Sequence, residues 1–272
     1  MDFSNPRESG RKAVEDTVAP EIWTKNRAFA EKLKSILAKH PLASHPLLDF
    51  LENEESSVEV QKIVHLEFGY AFAQIFTDAV VNAMFNCKSM ESRLGPRAKV
   101  SARFLWAINL MDEIGYVPSG STENYAGNPA AAHYYQYVQL FESLGENEKA
   151  IIDYNPTLEA KNARATFEDQ YSDYTKLAAV LALSESIFDK FAGPWAKNVG
   201  RSTNVDVSEG YHTIHVEDDH GDSIDDDHSE DGWTLFCQAI TPDRYDEVEE
   251  SAREWIDCWY KFADKILELA MK

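Results

Sequence analysis

The sequence predicts a single all-α domain. Apolar residues recur at three- and four-residue steps along most of the chain, and alternating strand-like segments are almost absent. The 272 residues, 44% of them hydrophobic, are enough to build one sizeable core. Since no repeat of solenoid period and no linker divides the chain, we assign residues 1–272 to one domain. We expect residues 1–19 to form a flexible N-terminal segment.

The helical pattern divides the chain into seven predicted helices, and Pro or Gly residues mark many of their ends. Pro41 follows the first helix, Gly115 closes the third, and Pro129 and Gly145 bound the fourth. The fifth is expected to stop before Pro194. The predicted helices span residues 21–40, 58–84, 98–114, 129–145 and 167–191, a sixth that begins near residue 211, and residues 244–270.

The charge of the chain excludes two classes of partner. A net charge of -21 would be repelled by nucleic acid and by anionic membrane surfaces. No apolar run approaches the ~18 residues that cross a bilayer, and the N-terminus lacks the apolar core of a signal peptide. We therefore expect a cytoplasmic protein. The three cysteines form no CxxC pair, which favours buried thiols over disulfides or a zinc finger.

Carboxylates and imidazoles occur in helix rows that should be buried. Glu113 ends an apolar row in the third helix, His133 begins one in the fourth, and Glu185 interrupts the run AAVLALSESIF in the fifth. A histidine bonded to a backbone carbonyl, or a glutamate paired with Arg103 or Arg164, would explain each residue alone. Together they form an inward-facing set of the kind that binds two metal ions in a helical bundle. Imidazole and carboxylate ligands without thiolate suit iron or manganese better than structural zinc.

The stretch YHTIHVEDDHGDSIDDDHSEDGW, residues 211–233, holds four of the eight histidines among many acidic residues. His215 lies one helical turn after Tyr211, and Asp219 continues the same row. We therefore expect the first half of this stretch to face the three buried polar residues. The second half is typical of a solvated acidic surface.

Three segments resemble the heme-oxygenase-like diiron oxidases and oxygenases. RFLWAINLMDEIGY resembles the family helix that ends in a ligand glutamate, here Glu113. NPAAAHYYQYVQLFESLG resembles the next family helix, with its ligand His133, and LAAVLALSESIFDKF resembles the helix of the bridging Glu185. The resemblance covers roughly residues 41–233. It implies a bundle of about seven helices without heme that holds two Fe2+ ions and uses dioxygen as co-substrate.

A fourth family motif, His-x3-Asp-x2-His, is only partly matched. The motif can be aligned with the sequence in three ways. Without a gap, the motif uses His215, Asp219 and Asp222, and with one extra residue it uses His212, Glu217 and His220. With six inserted residues, the motif ends at His228. The ungapped reading needs no backbone distortion, because positions i, i+4 and i+7 share one helix face. We favour it, and His220 and His228 are kept as alternates for the last ligand.

The resemblance implies an oxidoreductase that acts on a small molecule in the biosynthesis of specialised metabolites. Because no long apolar channel is evident, we expect an amino acid or a derivative of one rather than a fatty acid. An external reductant and a homodimer are both compatible with this reading. Two rival readings stay open: a metal-free thiaminase-type enzyme of the same fold, which would rely on a nucleophilic Cys or a His and Arg cluster, and a non-catalytic acidic protein that docks through residues 220–231.

Overall fold

The computed structural model describes residues 4–117, 126–215 and 224–272, and within helix α13 it describes side chains from residue 227 onward. These residues are almost entirely helical, so the predicted all-α class is confirmed. The helices are α1 (Pro6–Glu15), α2 (Pro20–Lys39), α3 (Pro46–Asn53), α4 (Val58–Phe68), α5 (Phe76–Asn86), α6 (Glu91–Leu94), α7 (Pro96–Glu113), α8 (His133–Ser143), α9 (Glu148–Asp153), α10 (Leu158–Glu168), α11 (Tyr174–Ser202), α12 (Tyr211–Ile214), α13 (Ile224–Ala239) and α14 (Tyr245–Ala270).

Shorter elements connect these helices. A π-helical turn, Gly69–Ala73, separates α4 from α5. A two-stranded antiparallel hairpin, β1 (Tyr116–Val117) and β2 (Ala126–Gly127), lies between α7 and α8. Turns of 3-10 helix lie at some of the other joints: Pro41–Ser44, Cys87–Met90, Pro129–Ala131 and Pro242–Arg244.

Helix α11 forms the centre of the core. Most of its residues from Tyr174 to Val199 are buried, and it packs against α13, α14 and α3. Helix α13 crosses α11 closely, because Gly232 has no side chain and Ala182 faces it. A Cβ atom on Gly232 would lie 3.2 Å from the Cα of Ala182. Small residues at this crossing therefore let two helices that carry candidate site residues approach one another.

Among the predicted helices that differ from the structure are those at residues 58–84 and 167–191. The pattern across residues 58–84 is interrupted by the π-helical turn, which rotates the apolar row between α4 and α5. The predicted stop before Pro194 is wrong, because α11 continues to Ser202. Proline removes one helical hydrogen bond. Burial of Trp195 and Val199 beyond it outweighs that loss.

The N-terminal segment that we expected to be flexible contains helix α1 in the structure. The Asn5 side chain caps the helix by accepting from the Glu8 backbone N–H, and Pro6 occupies the first turn. Arg7 and Arg11 both pair with the buried carboxylate of Asp231 on α13. The sequence pattern could not show these long-range ion pairs, which hold α1 against the bundle.

None of the helices within the described ranges is long and apolar enough to span a bilayer.

Candidate metal centre

Four helices bring two glutamates and two histidines together inside the bundle. Glu113 ends α7, His133 begins α8, Glu185 lies in the middle of α11, and His228 lies on α13. All four side chains are buried. The Nδ1 atom of His133 is 3.2 Å from Oε2 of Glu113, and Nδ1 of His228 is 3.6 Å from Oε1 of Glu185 and 3.8 Å from Oε1 of Glu113.

The end of α7 places a negative charge where a helix does not favour one. Glu113 is the last residue of α7, and the partial charge of a helix C-terminus is negative. The chain then turns sharply at Gly115, which has a φ of 90°, and a Cβ there would lie 2.3 Å from the Asn128 carbonyl oxygen. This turn leads through the hairpin to His133, whose imidazole faces the carboxylate. A buried carboxylate in this position needs a cation or strong hydrogen-bond donors nearby.

His215 lies beside this group. It follows α12 directly, and its ring centroid is 5.1 Å from that of His133, with the two planes 82° apart. Its other aromatic neighbours include Phe188 on α11, at 5.0 Å. The structure therefore brings together four residues that the sequence predicted for the site, Glu113, His133, Glu185 and His215, and adds the alternate His228.

The charges of the group depend on one another. Burial alone would raise the pKa of Glu113, but the imidazoles of His133, His228 and His215 outweigh it and hold that pKa below its ordinary value. Burial alone would lower the pKa of His228. Hydrogen bonds with Asp112 and Glu185 outweigh it and raise the pKa of His228 to about 10. The carboxylates therefore require positive charge, and without a metal ion His228 supplies it.

A carboxylate behind His228 fixes the direction of its ring. Nε2 of His228 lies 3.2 Å from Oδ2 of Asp112, which leaves Nδ1 directed toward the two glutamates. Asp112 is held in turn by Arg7 of α1, whose guanidinium also donates to Asn109 at 2.6 Å. A histidine that ligates a metal usually donates its second ring N–H to such a carboxylate.

The donor types of this group are ones that iron takes. Among the described residues, those that meet here are imidazoles and carboxylates. The nitrogen and oxygen atoms are 3.2 to 3.8 Å apart, which is more than the about 3 Å that separates two ligands held at a right angle about 2.1 Å from one ion. Within the described parts of the chain, however, no three His, Cys, Asp or Glu side chains are close enough to enclose one ion. The predicted ligands Asp219 and Asp222 and the alternate His220 lie outside those parts.

A buried glutamate could be explained more simply by an ion pair with Arg103 or Arg164. In the structure these two arginines have other partners. Arg103 donates to the Met84 carbonyl, and Arg164 pairs with Glu168. Helix α12 ends at Ile214, and His215 follows it directly. The other two residues of the ungapped motif, Asp219 and Asp222, lie outside the described residues, so that reading stays a prediction.

Several buried polar residues, His65 and Glu67 among them, were not predicted from the sequence, and His212 was named only in the second reading of the fourth motif. His65 and His212 face each other with their Nε2 atoms 3.4 Å apart, and burial lowers the pKa of His65 to about 4. Glu67 is fully buried and accepts hydrogen bonds from Tyr154 and Thr157. His65 could have been found, because Phe68 and Phe72 continue its row at i+3 and i+7.

An apolar cavity of about 80 Å³ lies next to the group. Its walls come mainly from α3, α4, α11 and α14, and none of the described residues that line it is charged. They extend from Ser184 to Trp195 on α11 and from Trp255 to Ile266 on α14, about 16 Å along each helix. An empty cavity of this size would cost about 2 kcal/mol. The interior therefore contains an apolar cavity, and the preference for an amino acid substrate stays a prediction.

Comparisons with known proteins support the fold. No protein-family model matches the chain, and no curated protein matches its sequence. The structure is similar to the crystal structure of a CADD-like protein of unknown function from Nostoc punctiforme, with a TM-score of 0.65 and 13% identity over 92% of this chain and 100% of that one. It is also similar to a TenA homolog from Pseudomonas syringae pv. tomato, with a TM-score of 0.60 and 11% identity over 90% of this chain and 93% of that one.

At such identities the likeness establishes the fold alone. The chain has the heme-oxygenase-like all-α fold that these neighbours share. Function has to be argued from the residues that this chain places in the interior.

Proposed function

We propose that the protein is a non-heme diiron enzyme that uses dioxygen to oxidise a small organic substrate. The observation that carries the proposal is the buried group of Glu113, His133, Glu185 and His228, contributed by four separate helices. Two carboxylates and two imidazoles are costly to bury unless a cation satisfies them. When bound, two ferrous ions would supply the electrons that reduce dioxygen at the centre.

Residues of this chain would hold the ions in assigned roles. Glu113 and Glu185 offer carboxylate oxygens from α7 and α11, and the rings of His133, His215 and His228 offer nitrogens. We retain Asp219 and Asp222 as proposed ligands from the sequence, with His220 as an alternate. The contacts of His228 favour it as the histidine that completes the set.

Neighbouring residues orient the ligands and limit access of water. Asp112 accepts a hydrogen bond from Nε2 of His228, so the Nδ1 lone pair of the neutral ring faces Glu113 and Glu185. Arg7 neutralises Asp112 and keeps it from competing for the ions. Phe188 covers His215 and separates it from the apolar cavity. A site closed in this way can protect a reactive oxidant from water.

The thiaminase-type alternative is less well supported. A nucleophilic cysteine needs a lowered pKa. Burial raises the pKa of Cys87, Cys237 and Cys258, that of Cys237 to about 12. None of these three thiols is therefore prepared for attack on a substrate.

Part of the acidic segment that was considered as a docking surface is buried in the structure. Asp231, which we counted among the docking acids of residues 220–231, is buried beneath Arg7 and Arg11. His228, from the same segment, faces the interior glutamates. These residues therefore stabilise the bundle and cannot meet a partner protein.

The proposal is tested by anaerobic titration with ferrous iron. We expect about two iron ions per chain in the wild type, and oxygen consumption that requires the bound iron. Glu185→Gln should lower the stoichiometry, whereas Glu67→Gln should leave it unchanged. Both substitutions remove a buried carboxylate charge, but the partners of Glu67, Tyr154 and Thr157, lie outside the group. No iron uptake by the wild type, or equal loss in both variants, would refute the proposal.

A further inference from the structure

The apolar cavity between α3, α4, α11 and α14 offers no hydrogen-bond partner from the described residues that line it. None of these residues is charged. The indole nitrogens of Trp195 and Trp255 are buried within the walls, and the hydroxyl of Ser184 donates to the Leu181 carbonyl at 2.7 Å. A buried water molecule needs about two to four polar partners, and a polar or charged ligand is costly to bury without any. Only an uncharged, apolar molecule therefore suits this space.

The volume of the cavity limits that molecule to a small one. Apolar cavities of about 150 Å³ hold benzene or xenon. This cavity has a volume of about 80 Å³. A space of that size has room for a xenon atom or a diatomic gas, whereas a ring-sized substrate is too large for it.

The cavity lies beside the candidate metal centre. Ser184 lines it, and the next residue of α11 is Glu185. The ring of Phe188 also lines it, and the centroid of this ring is 5.0 Å from that of the His215 ring, with the two planes 81° apart. One aromatic ring therefore separates the apolar space from a proposed ligand of the centre.

We propose that this cavity is a holding site for dioxygen at the candidate metal centre. Dioxygen is uncharged and apolar and is no larger than a xenon atom, so it transfers favourably from water into such a space. An unfilled cavity destabilises a fold, and a role in holding a gas accounts for the small side chain of Ala263 in its wall. That the gas is consumed at the centre rests on the proposed function, whereas the gas site itself does not.

Xenon is the first probe, because its anomalous scattering locates it in a crystal. Metal-free crystals held under xenon pressure should show a peak between α11 and α14, next to Phe188 and Ala263. Ala263→Leu fills part of the space and should lose the peak. Ala270→Leu, on the same helix but outside the described lining, should keep it. Absence of xenon from the wild-type cavity would overturn the proposal.

Dioxygen itself is the second probe, because it is paramagnetic and speeds the nuclear relaxation of protons that it approaches. In metal-free protein equilibrated with oxygen, the methyl groups of Leu51, Ile187 and Ile266 in the lining should relax faster than those of Leu105, which is buried elsewhere. This difference should disappear in Ala263→Leu. Equal relaxation in the wild type would overturn the proposal. Binding of benzene in the cavity would also overturn it, because the space would then admit a larger substrate.

Iron-loaded protein tests the link between the cavity and the centre. Ala263→Leu should bind as much iron as the wild type but have a higher KM for dioxygen, and an unchanged KM would refute the link. Xenon and dioxygen in the cavity of a protein that takes up no iron would uphold the gas site and refute the proposed function. Iron uptake without gas in the cavity would refute the gas site and leave the metal centre standing.

Discussion

The imidazole of His228 lies between Asp112 and Glu185. Its Nε2 atom is 3.2 Å from Oδ2 of Asp112, and its Nδ1 atom is 3.6 Å from Oε1 of Glu185. One ring nitrogen is thus held by a carboxylate at the periphery, while the other faces the buried group. The contact with Asp112 therefore orients the ring of His228 on α13 so that its Nδ1 atom points toward the buried glutamates.

Loss of the Asp112 charge should weaken iron binding without abolishing it. Asp112→Asn removes the acceptor that orients His228, and such changes typically cost 10- to 100-fold in metal affinity. Anaerobic competition with a ferrous chelator would measure the change. Asp257→Asn is the matched control, because Asp257 makes the same kind of contact with His40, at 3.1 Å, far along the chain from these residues. Equal affinity of Asp112→Asn and the wild type would contradict this role.

Helix α1 should contribute to stability through Arg7. Arg7→Met leaves the buried Asp231 with Arg11 and leaves Asp112 with His228 as a partner. Charged hydrogen bonds of this kind contribute about 2 kcal/mol, which urea denaturation would measure. Lys12→Met on the same helix removes only exposed ion pairs and should cause no measurable loss. Similar midpoints for both variants would show that α1 is not held in this way.

The buried pair of His65 and His212 should make the protein sensitive to acid. The pKa of His65 is lowered to about 4, so the unfolded chain binds its proton first as pH falls from about 6.5. Its contribution to stability is complete above pH 6.5 and is lost toward pH 4, by about 3 kcal/mol. His65→Gln should therefore show a shallower decline of unfolding free energy across this range. Parallel curves for the variant and the wild type would contradict the assignment.

Filling the apolar cavity should stabilise the protein. Ala263 lines the cavity, so Ala263→Leu can place its larger side chain in empty space, for a gain of about 0.5 to 2 kcal/mol. Ala252 on the same helix is buried but does not line the cavity. Ala252→Leu should therefore cost about 1 to 3 kcal/mol. Thermal unfolding of the ligand-free variants measures both, and a loss in both would mean that the cavity is not empty space.

Much of the fold could be predicted, because helical periodicity and Pro or Gly boundaries are local features. Glu113, His133 and Glu185 could be recognised for the same reason, since each interrupts an apolar row on its own helix. The predicted helix at residues 21–40 agrees with α2, and that at 244–270 agrees with α14.

The rest depended on long-range contacts. Asp112 lies off the apolar row of α7, and only its contact with His228 from another helix gives it a role. Arg7 contacts Asp231 more than 200 positions away in the sequence, so nothing near Arg7 in the chain indicated that α1 would be held. The cavity arises where four helices fail to fill the space between them, which no single helix pattern reveals.

Crystals grown anaerobically with ferrous iron test the central claim most directly. Anomalous diffraction at the iron absorption edge would locate the ions. We expect two peaks within the group, bound by Glu113, His133 and Glu185, with His228 Nδ1 as a ligand. Absence of iron from this group, or iron confined to acidic residues on the surface, would contradict the account.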